Sequence, residues 1–260
     1  MTELLHRIDQ YLNQIPLLHA DAVSVPPFTL FLSRKSAQGF PSYARPTAPL
    51  PDDLGPILVE VHRAFAARHL EPRWEFIAEL APGLLERLQD AGFTDLQPTP
   101  VMAVTRASFT PQDAPGVEIR RVEPGGDLAP LLYAQRVAFG GDEASVVTAE
   151  DVRSFEETLR AGMRYWGAYV EGNGVAAGVQ TPLHGVTEVA GIGTLPAYQR
   201  RGVGGALTTA LVRDAFALGC EVVFLTAGDD RARRVYERVG FHVVGSGMTS
   251  MDAPPGTGGD

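Results

Sequence analysis

The most informative segment of the chain is Gln199-Arg200-Arg201-Gly202-Val203-Gly204, which continues as Gly205-Ala206-Leu207. It follows an apolar segment at 186–194, which predicts a strand, and it opens a segment at about 203–218, which predicts a helix. A glycine inside a helix costs roughly 1 kcal/mol relative to alanine, so three glycines in four positions require a reason. Close approach of an anion to the first helical turn is one reason, and close packing of two elements is the other.

Two common phosphate loops do not fit this stretch. A P-loop requires Gly-x-x-x-x-Gly-Lys-Ser/Thr, and a dinucleotide fingerprint started at Gly202 would need glycine at Leu207. The pattern Gln/Arg-x-x-Gly-x-Gly/Ala does fit, and it resembles the pyrophosphate loop of the GNAT superfamily of N-acetyltransferases. Downstream, residues 229–241 resemble the same family's Asn-x-x-Ala-x-x-x-Tyr-x-x-x-Gly-Phe segment, with Asp229 in place of asparagine. The resemblance extends over about 117–249.

The resemblance implies a fold and a cosubstrate. The fold is α/β with a mixed α+β sheet of the GNAT acyl-CoA acyltransferase type, and the cosubstrate is acetyl-CoA, with no metal. Strand backbone would bind the pantetheine arm, and loop amides would bind the pyrophosphate. The residues implied for cofactor binding are Ile192, Gly193, Thr194, Gln199, Arg200, Arg201, Gly202, Val203, Gly204, Gly205, Ala206 and Asp229. Asp229 is also a competent N-cap, although its carboxylate would repel a phosphate.

Two residues are candidates for the chemistry. Acyl transfer from a thioester to an amine needs a neutral amine, a polarised carbonyl and a proton for the departing thiolate. The resemblance places the general acid at Tyr236; the alternative is a core tyrosine of an amphipathic helix. The resemblance also makes Glu188 the candidate general base, since some members of the family place a glutamate there, and partial burial among apolar neighbours would raise its pKa. A glutamate facing solvent or pairing with arginine, with a water chain acting as the base, remains the alternative.

The order helix, strand, helix, Gly-Phe, strand occurs around 54–105 and again around 203–249, which predicts a tandem with a degenerate first copy. Glycine just past a helix end is also common punctuation. The loop before the first copy lacks the motif and carries Asp52 and Asp53, and Leu88 occupies the position of Tyr236. We therefore predict a non-catalytic GNAT-like domain at 1–110, a catalytic domain at 116–252 and a disordered tail at 253–260. The boundary is the proline-containing segment 111–115.

Periodicity and turn residues predict the remaining elements. Thr148 is expected to cap a helix with Asp151, and Asn173-Gly174 is expected to form a hairpin turn. A proline-rich loop is predicted at 41–51. The predicted helices begin near residue 4 and lie near 54–70, 82–91, 127–139, 149–163, 203–218 and 230–239, and the predicted strands near 28–32, 73–77, 101–104, 117–121, 165–170, 175–179, 186–195, 222–227 and 242–249.

Composition narrows the class of partner. The net charge of −9 argues against nucleic acid, and neither a signal peptide nor an apolar run of spanning length is visible. The single cysteine, Cys220, fits a reducing compartment, so we expect a cytoplasmic protein that does not bind a membrane. The expected activity is acetylation of a primary amine on a small molecule or peptide. A non-enzymatic acyl-CoA-binding sensor or assembly module is the alternative, and a homodimer is left open.

Overall fold

The computed structural model describes residues 2–34, 42–144 and 146–250, and the chain forms two compact units. The first unit comprises Met1–Val101 and Val244–Asp260, and the second comprises Met102–Val243. This division differs from the predicted boundary at 111–115, because residues 102–110 lie in the second unit and the end of the last strand lies in the first. The predicted tail at 253–260 and the start of the predicted loop at 41 lie outside the described residues.

Seven α-helices and eleven strands occur in the described residues. In chain order they are α1 Thr2–Gln14, β1 Ala20–Val25, β2 Phe28–Ser33, β3 Tyr43–Pro46, α2 Gly55–Ala66, β4 Glu75–Ile77, α3 Leu84–Asp90, β5 Leu96–Val104, β6 Val117–Val122, α4 Ala129–Ala138, α5 Ala149–Arg160, β7 Arg164–Val170, β8 Asn173–Gln180, β9 Val186–Thr194, α6 Val203–Ala217, β10 Val222–Thr226, α7 Asp230–Val239 and β11 His242–Ser250.

The first unit is built on two sets of antiparallel strands. One is the sheet β1-β2-β3, and in the other β11 pairs with β4. Trp74 and Phe76 lie in its apolar core together with residues of α2 and α3. Arg45 is fully buried there, and it donates hydrogen bonds to Asp9, Asn13 and Glu75. Its charge is therefore compensated by two carboxylates, as a buried guanidinium requires.

The second unit contains the strands that carry the candidate site. Its strand order is β10-β9-β8-β7-β6, with β10 parallel to β9 and the other neighbours antiparallel. The sheet is therefore mixed, as predicted. Apolar residues of α6 and α7 pack with those of the sheet in one core, and a second cluster forms around α4 and Tyr165. The site elements β9, α6 and α7 are thus fixed by a common core.

Local signals account for most of these elements. The predicted cap is confirmed, because the Thr148 and Asp151 side chains each accept from the other residue's backbone amide in a capping box. The hairpin between β7 and β8 is also confirmed, but its turn was placed wrongly. Positive φ falls on Glu171 (50°) and Gly172 (80°), while Asn173 already pairs with Val170. The turn is therefore Glu171-Gly172, and Asn173-Gly174 belongs to strand β8, where these residues pair with Val170 and Tyr169.

Strands β1 and β3 were not predicted. β3 lies inside the segment interpreted as a proline-rich loop, and it forms because Tyr43 and Ala44 pair with β2. Proline at the end of an edge strand is tolerated, since no ladder hydrogen bond is needed there. Across the described residues, no helix is both long enough and apolar enough to cross a membrane.

Candidate active site

Helix α6 begins without a side-chain cap. Gly202 occupies the N-cap position with φ of 83°, a left-handed conformation that favours glycine. In the described residues, no side-chain hydrogen bond caps the amides at this helix start. The amides of Val203, Gly204 and Gly205 belong to the first turn, where a helix has no internal acceptor for them. Ala206, by contrast, donates to the Gly202 carbonyl at 3.0 Å, so its amide is not available to a ligand.

The two glycines that follow Gly202 are not explained by packing. A Cβ on Gly204 would come no closer than 3.8 Å to any atom, and one on Gly205 no closer than 3.5 Å. These are ordinary contact distances, so an alanine would fit at either position. Close packing of two elements therefore accounts for neither glycine. This favours the other explanation, in which an anion approaches the first turn of the helix closely. Gly202 has a different reason, which is its positive φ.

The loop before α6 is held to its surroundings by Gln199. Its side-chain amide donates to the Thr194 carbonyl at 3.0 Å, and its side-chain oxygen accepts from Arg231 at 2.9 Å. Its backbone amide donates to Pro196. Gln199 therefore joins the end of β9 to the start of α7, and in this arrangement it fixes the loop through contacts within the protein.

Positive charge lies at the rim of the loop. Arg200 and Arg201 both have exposed side chains, and Arg200 has φ of 62°. The Arg201 guanidinium lies 5.4 Å from the ring centroid of Tyr198, in cation–π contact. The site thus combines the positive end of a helix with two cations in a chain of net charge −9.

Strand β9 is open along part of one edge. Its parallel pairing with β10 runs from Val186↔Val222 to Glu188↔Phe224. On its other side it pairs with β8 as far as Thr194. Over the described residues, then, the segment 189–194 of β9 has a strand neighbour on the β8 side only. Backbone amides and carbonyls at such an edge can bond an extended ligand, as in strand addition.

Tyr236 lies in the core shared by α6, α7 and the sheet and is 9% exposed. Burial, and secondarily the charge of Asp229, raises the pKa of Tyr236 to about 12. Asp229 is the N-cap of α7, and its carboxylate accepts from the amide of Ala232 at 2.6 Å. The predicted capping role of Asp229 is therefore confirmed, and its carboxylate is engaged with the helix.

Glu188 lies on β9 beside Phe224 of β10 and is half-buried. Its neighbour Val189 packs into the core with α6. Since successive strand residues point to opposite faces, Glu188 belongs to the face that carries α4. Tyr236, on α7, lies on the α6 side. The structure thus places the two candidates on opposite faces of the same strands.

Sequence reasoning missed two residues at this site, Gly191 and Gln135. Gly191 has φ of 59° within β9, and its carbonyl accepts a hydrogen bond from the Gln135 side chain at 2.6 Å. A lone glycine inside a strand pattern is a known signal for a bulge and could have marked Gly191. Gln135 carried no such signal. Among the described residues, no His, Cys, Asp and Glu side chains group as a metal site would require.

Comparison with known proteins agrees with this geometry. Residues 134–241 match the model of the acetyltransferase (GNAT) family. A GCN5-related N-acetyltransferase from Kribbella flavida is 26% identical, with a TM-score of 0.75 over 96% of each chain. A GCN5-related N-acetyltransferase from Sphaerobacter thermophilus is 21% identical, with a TM-score of 0.62 over 86% of this chain and 75% of that one.

A tandem GNAT protein from the clavulanic acid biosynthesis pathway is 15% identical, with a TM-score of 0.56 over 87% of this chain and 79% of that one. No curated protein matches the sequence. The mixed sheet, the uncapped glycine helix and the matched segment together define an acyltransferase enzyme with the acyl-CoA acyltransferase fold. More particularly, residues 134–241 are similar to the acetyltransferase domain of the GNAT family, and that family uses acetyl-CoA as cosubstrate.

Proposed function

We propose that the second unit transfers an acetyl group from acetyl-CoA to a primary amine on a small molecule or peptide. The observation that carries the proposal is the start of α6. Three amides of the first turn, at 203–205, have no side-chain cap. Two of them belong to Gly204 and Gly205, and no packing contact requires glycine at either position. Such a helix start binds phosphate oxygens through its amides and its dipole.

The rest of acetyl-CoA fits the elements around this helix start. The open edge of β9 at 192–194 offers backbone groups for the extended pantetheine arm, and Thr194 lies next to the loop. Arg200 and Arg201 supply charge for the phosphates. Acetyl-CoA itself supplies an acyl group activated as a thioester. The chain positions the acyl group, removes a proton from the amine and stabilises the departing sulfur.

Tyr236 would stabilise the sulfur as the carbon–sulfur bond breaks and the carbon–nitrogen bond forms. A pKa of about 12 keeps its hydroxyl protonated throughout the neutral range. An ordinary thiol has a pKa of roughly 8.5, so complete proton transfer from Tyr236 would be uphill by on the order of 5 kcal/mol. We therefore assign Tyr236 the donation of a hydrogen bond to the developing thiolate. The thiolate then takes up a proton from solvent, while the proton released from the amine passes to Glu188 and from there to solvent.

Glu188 would accept the proton that the amine loses. Its position on the α4 face of β9 separates it from Tyr236, so proton removal and thiolate stabilisation occur on different sides of the strand. This separation suits a reaction in which the amine approaches from one side of the thioester and the sulfur departs toward the other. A glutamine at 188 would keep the shape and remove the base.

The test uses the purified full chain with acetyl-CoA and a panel of primary amines, from polyamines and amino sugars to short peptides. The readouts are the free thiol of CoA and the mass of the acetylated product. We expect amine-dependent thiol release with an added acetyl group on at least one amine. Saturable acetyl-CoA binding without product from any amine would contradict the proposal and favour a binding module.

A further inference from the structure

Strand β9 changes the direction of its side chains at a bulge. Ala177 of β8 pairs with Gly193, whereas Val179 pairs with Ala190, so Gly178 faces both Gly191 and Ile192. Val189 and Ile192 pack with the same α6 core although they are three positions apart. In a regular strand these two residues would point to opposite faces. The bulge is therefore what turns Ile192 toward α6.

This change of face continues to the end of the strand. Thr194, two positions after Ile192, also points toward α6, and its hydroxyl oxygen would lie 3.8 Å from a Cβ on Gly204. Gly193 points the other way, against α4, where a Cβ would be 2.9 Å from that of Ala138. The bulge thus sets which groups of 192–194 face the phosphate loop. Those are the strand positions proposed to bind the pantetheine arm.

A chain of two hydrogen bonds from buried Tyr165 holds the bulge. The Tyr165 hydroxyl donates to the side-chain oxygen of Gln135 at 2.8 Å. The side-chain amide of Gln135 then donates to the Gly191 carbonyl at 2.6 Å. Tyr165 is fully buried, and burial raises its pKa well above the ordinary value, so it remains a donor. The orientation of the Gln135 amide is consequently fixed, with its N–H directed at Gly191.

We propose that Gln135 is a positioning residue that locks the β9 bulge in the form that binds acetyl-CoA. The inference rests on the proposed function, because it concerns the same cofactor strand. Gln135 acts through the Gly191 carbonyl and touches neither reacting group. A leucine at 135 fills similar volume but leaves both the Tyr165 hydroxyl and the Gly191 carbonyl without this partner, and such losses are costly when buried.

The experiment measures acetyl-CoA affinity by titration calorimetry for the wild-type chain, Gln135→Leu, Gln135→Glu and the control Gln89→Leu. Gln89 is an exposed residue of α3, so its variant tests the same substitution away from the bulge. We expect Gln135→Leu to weaken binding by roughly tenfold, since one buried hydrogen-bond partner is lost at each end. Gln89→Leu should leave the dissociation constant unchanged.

Gln135→Glu gives a readout that a merely structural role would not produce. A protonated carboxyl can accept from Tyr165 and donate to Gly191, whereas a carboxylate would place an oxygen against the Gly191 carbonyl. Burial raises a carboxyl pKa, so the side chain should be protonated at pH 5.5 and lose its proton toward pH 8. Relative to wild type at the same pH, the affinity of this variant should be near normal at pH 5.5 and several-fold weaker at pH 8.

Three outcomes have distinct meanings. Wild-type affinity for Gln135→Leu would overturn the positioning role while the proposed function stands. A Gln135→Glu affinity with the same pH dependence as wild type would also overturn it, even if Gln135→Leu proved unfolded. No binding of acetyl-CoA by the wild-type protein would overturn both the inference and the proposed function.

Discussion

The starts of helices α2 and α6 show how similar elements can differ in the hydrogen-bond donors that they leave free. At α6 the amides at 203–205 have no side-chain cap, and Gly202 leads into the helix. At α2 the amide of Gly55 donates to the Asp53 carboxylate at 2.8 Å, and Pro56 has no backbone N–H to donate. Two of the first-turn donors are thus removed from α2, and a negative charge is added. The residues at the start of a helix, rather than the helix itself, therefore decide whether its first-turn donors are free for an anion.

The ends of α3 and α7 are alike in geometry and differ in one side chain. Gly92 and Gly240 have φ of 96° and 99°, and the following phenylalanines donate to Leu88 and Tyr236 at 3.0 and 3.1 Å. Both helices therefore end in the same glycine-terminated turn. Leu88 has no proton to donate where Tyr236 has a hydroxyl. The origin of the first unit as a degenerate copy stays a prediction, since this turn is common.

The largest expected effect comes from filling the space over the α6 amides. Gly204→Leu should weaken acetyl-CoA binding on the order of a thousandfold, because three charge-assisted hydrogen bonds of about 1.5 kcal/mol each would be lost. A Cβ at this position would lie no closer than 3.8 Å to its neighbours, so the backbone tolerates a side chain here, and we expect the variant to fold. Gly55→Leu, at the start of α2, is the matched control and should leave binding unchanged. Equal losses in the two variants would break the comparison.

The next effect separates binding from chemistry. Tyr236→Phe should lower kcat about a hundredfold, because a hydrogen-bond donor to the departing sulfur is lost. Its dissociation constant for acetyl-CoA should stay within about twofold of wild type. Steady-state kinetics and calorimetry check the two values, with Tyr43→Phe in the first unit as the control for hydroxyl loss. Full turnover by Tyr236→Phe would remove its assignment.

Tyr236 should also make the free energy of unfolding depend on pH in the alkaline range. Its folded pKa of about 12 exceeds the ordinary value of about 10, so the unfolded state loses its proton first as pH rises. The resulting contribution is complete below pH 10 and declines between about 10 and 12, by about 2.7 kcal/mol in all. Denaturant unfolding of wild type and Tyr236→Phe at several alkaline pH values would measure this difference. A constant difference would show that burial does not raise the pKa.

The smallest effect concerns the Asp53 carboxylate, which precedes α2. Asp53→Ala should cost about 1 kcal/mol of unfolding free energy, because the Gly55 amide loses its acceptor. The substitution should not create a second acetyl-CoA site, since Pro56 still has no backbone N–H to donate. Denaturant unfolding and calorimetry check the two parts. A new site in this variant would show that Asp53 alone separates the two helix starts.

Local sequence signals predicted much of the second unit and of its candidate site. The glycine stretch, the Asp229 cap and the helix end at Gly240 each act within a few residues, so their patterns are visible in the chain. The engagement of Ala206 and Gln199 within the protein was not visible, because it depends on helix hydrogen bonding and on Arg231, 32 residues away. Gln135 and Gly191 lie 56 residues apart, and only the fold brings them together. Strand β3 was not predicted for a similar reason, because it forms by pairing with β2 and not from a pattern in its own residues.

The central claim is that the chain has one acetyl-CoA site and that this site is the start of α6. Calorimetric titration of the full chain with acetyl-CoA tests it most directly through the stoichiometry. The account predicts one molecule bound per chain in wild type and in Gly55→Leu, and no measurable saturation in Gly204→Leu at the same concentrations. Two molecules bound per chain, or one that survives Gly204→Leu, would contradict it.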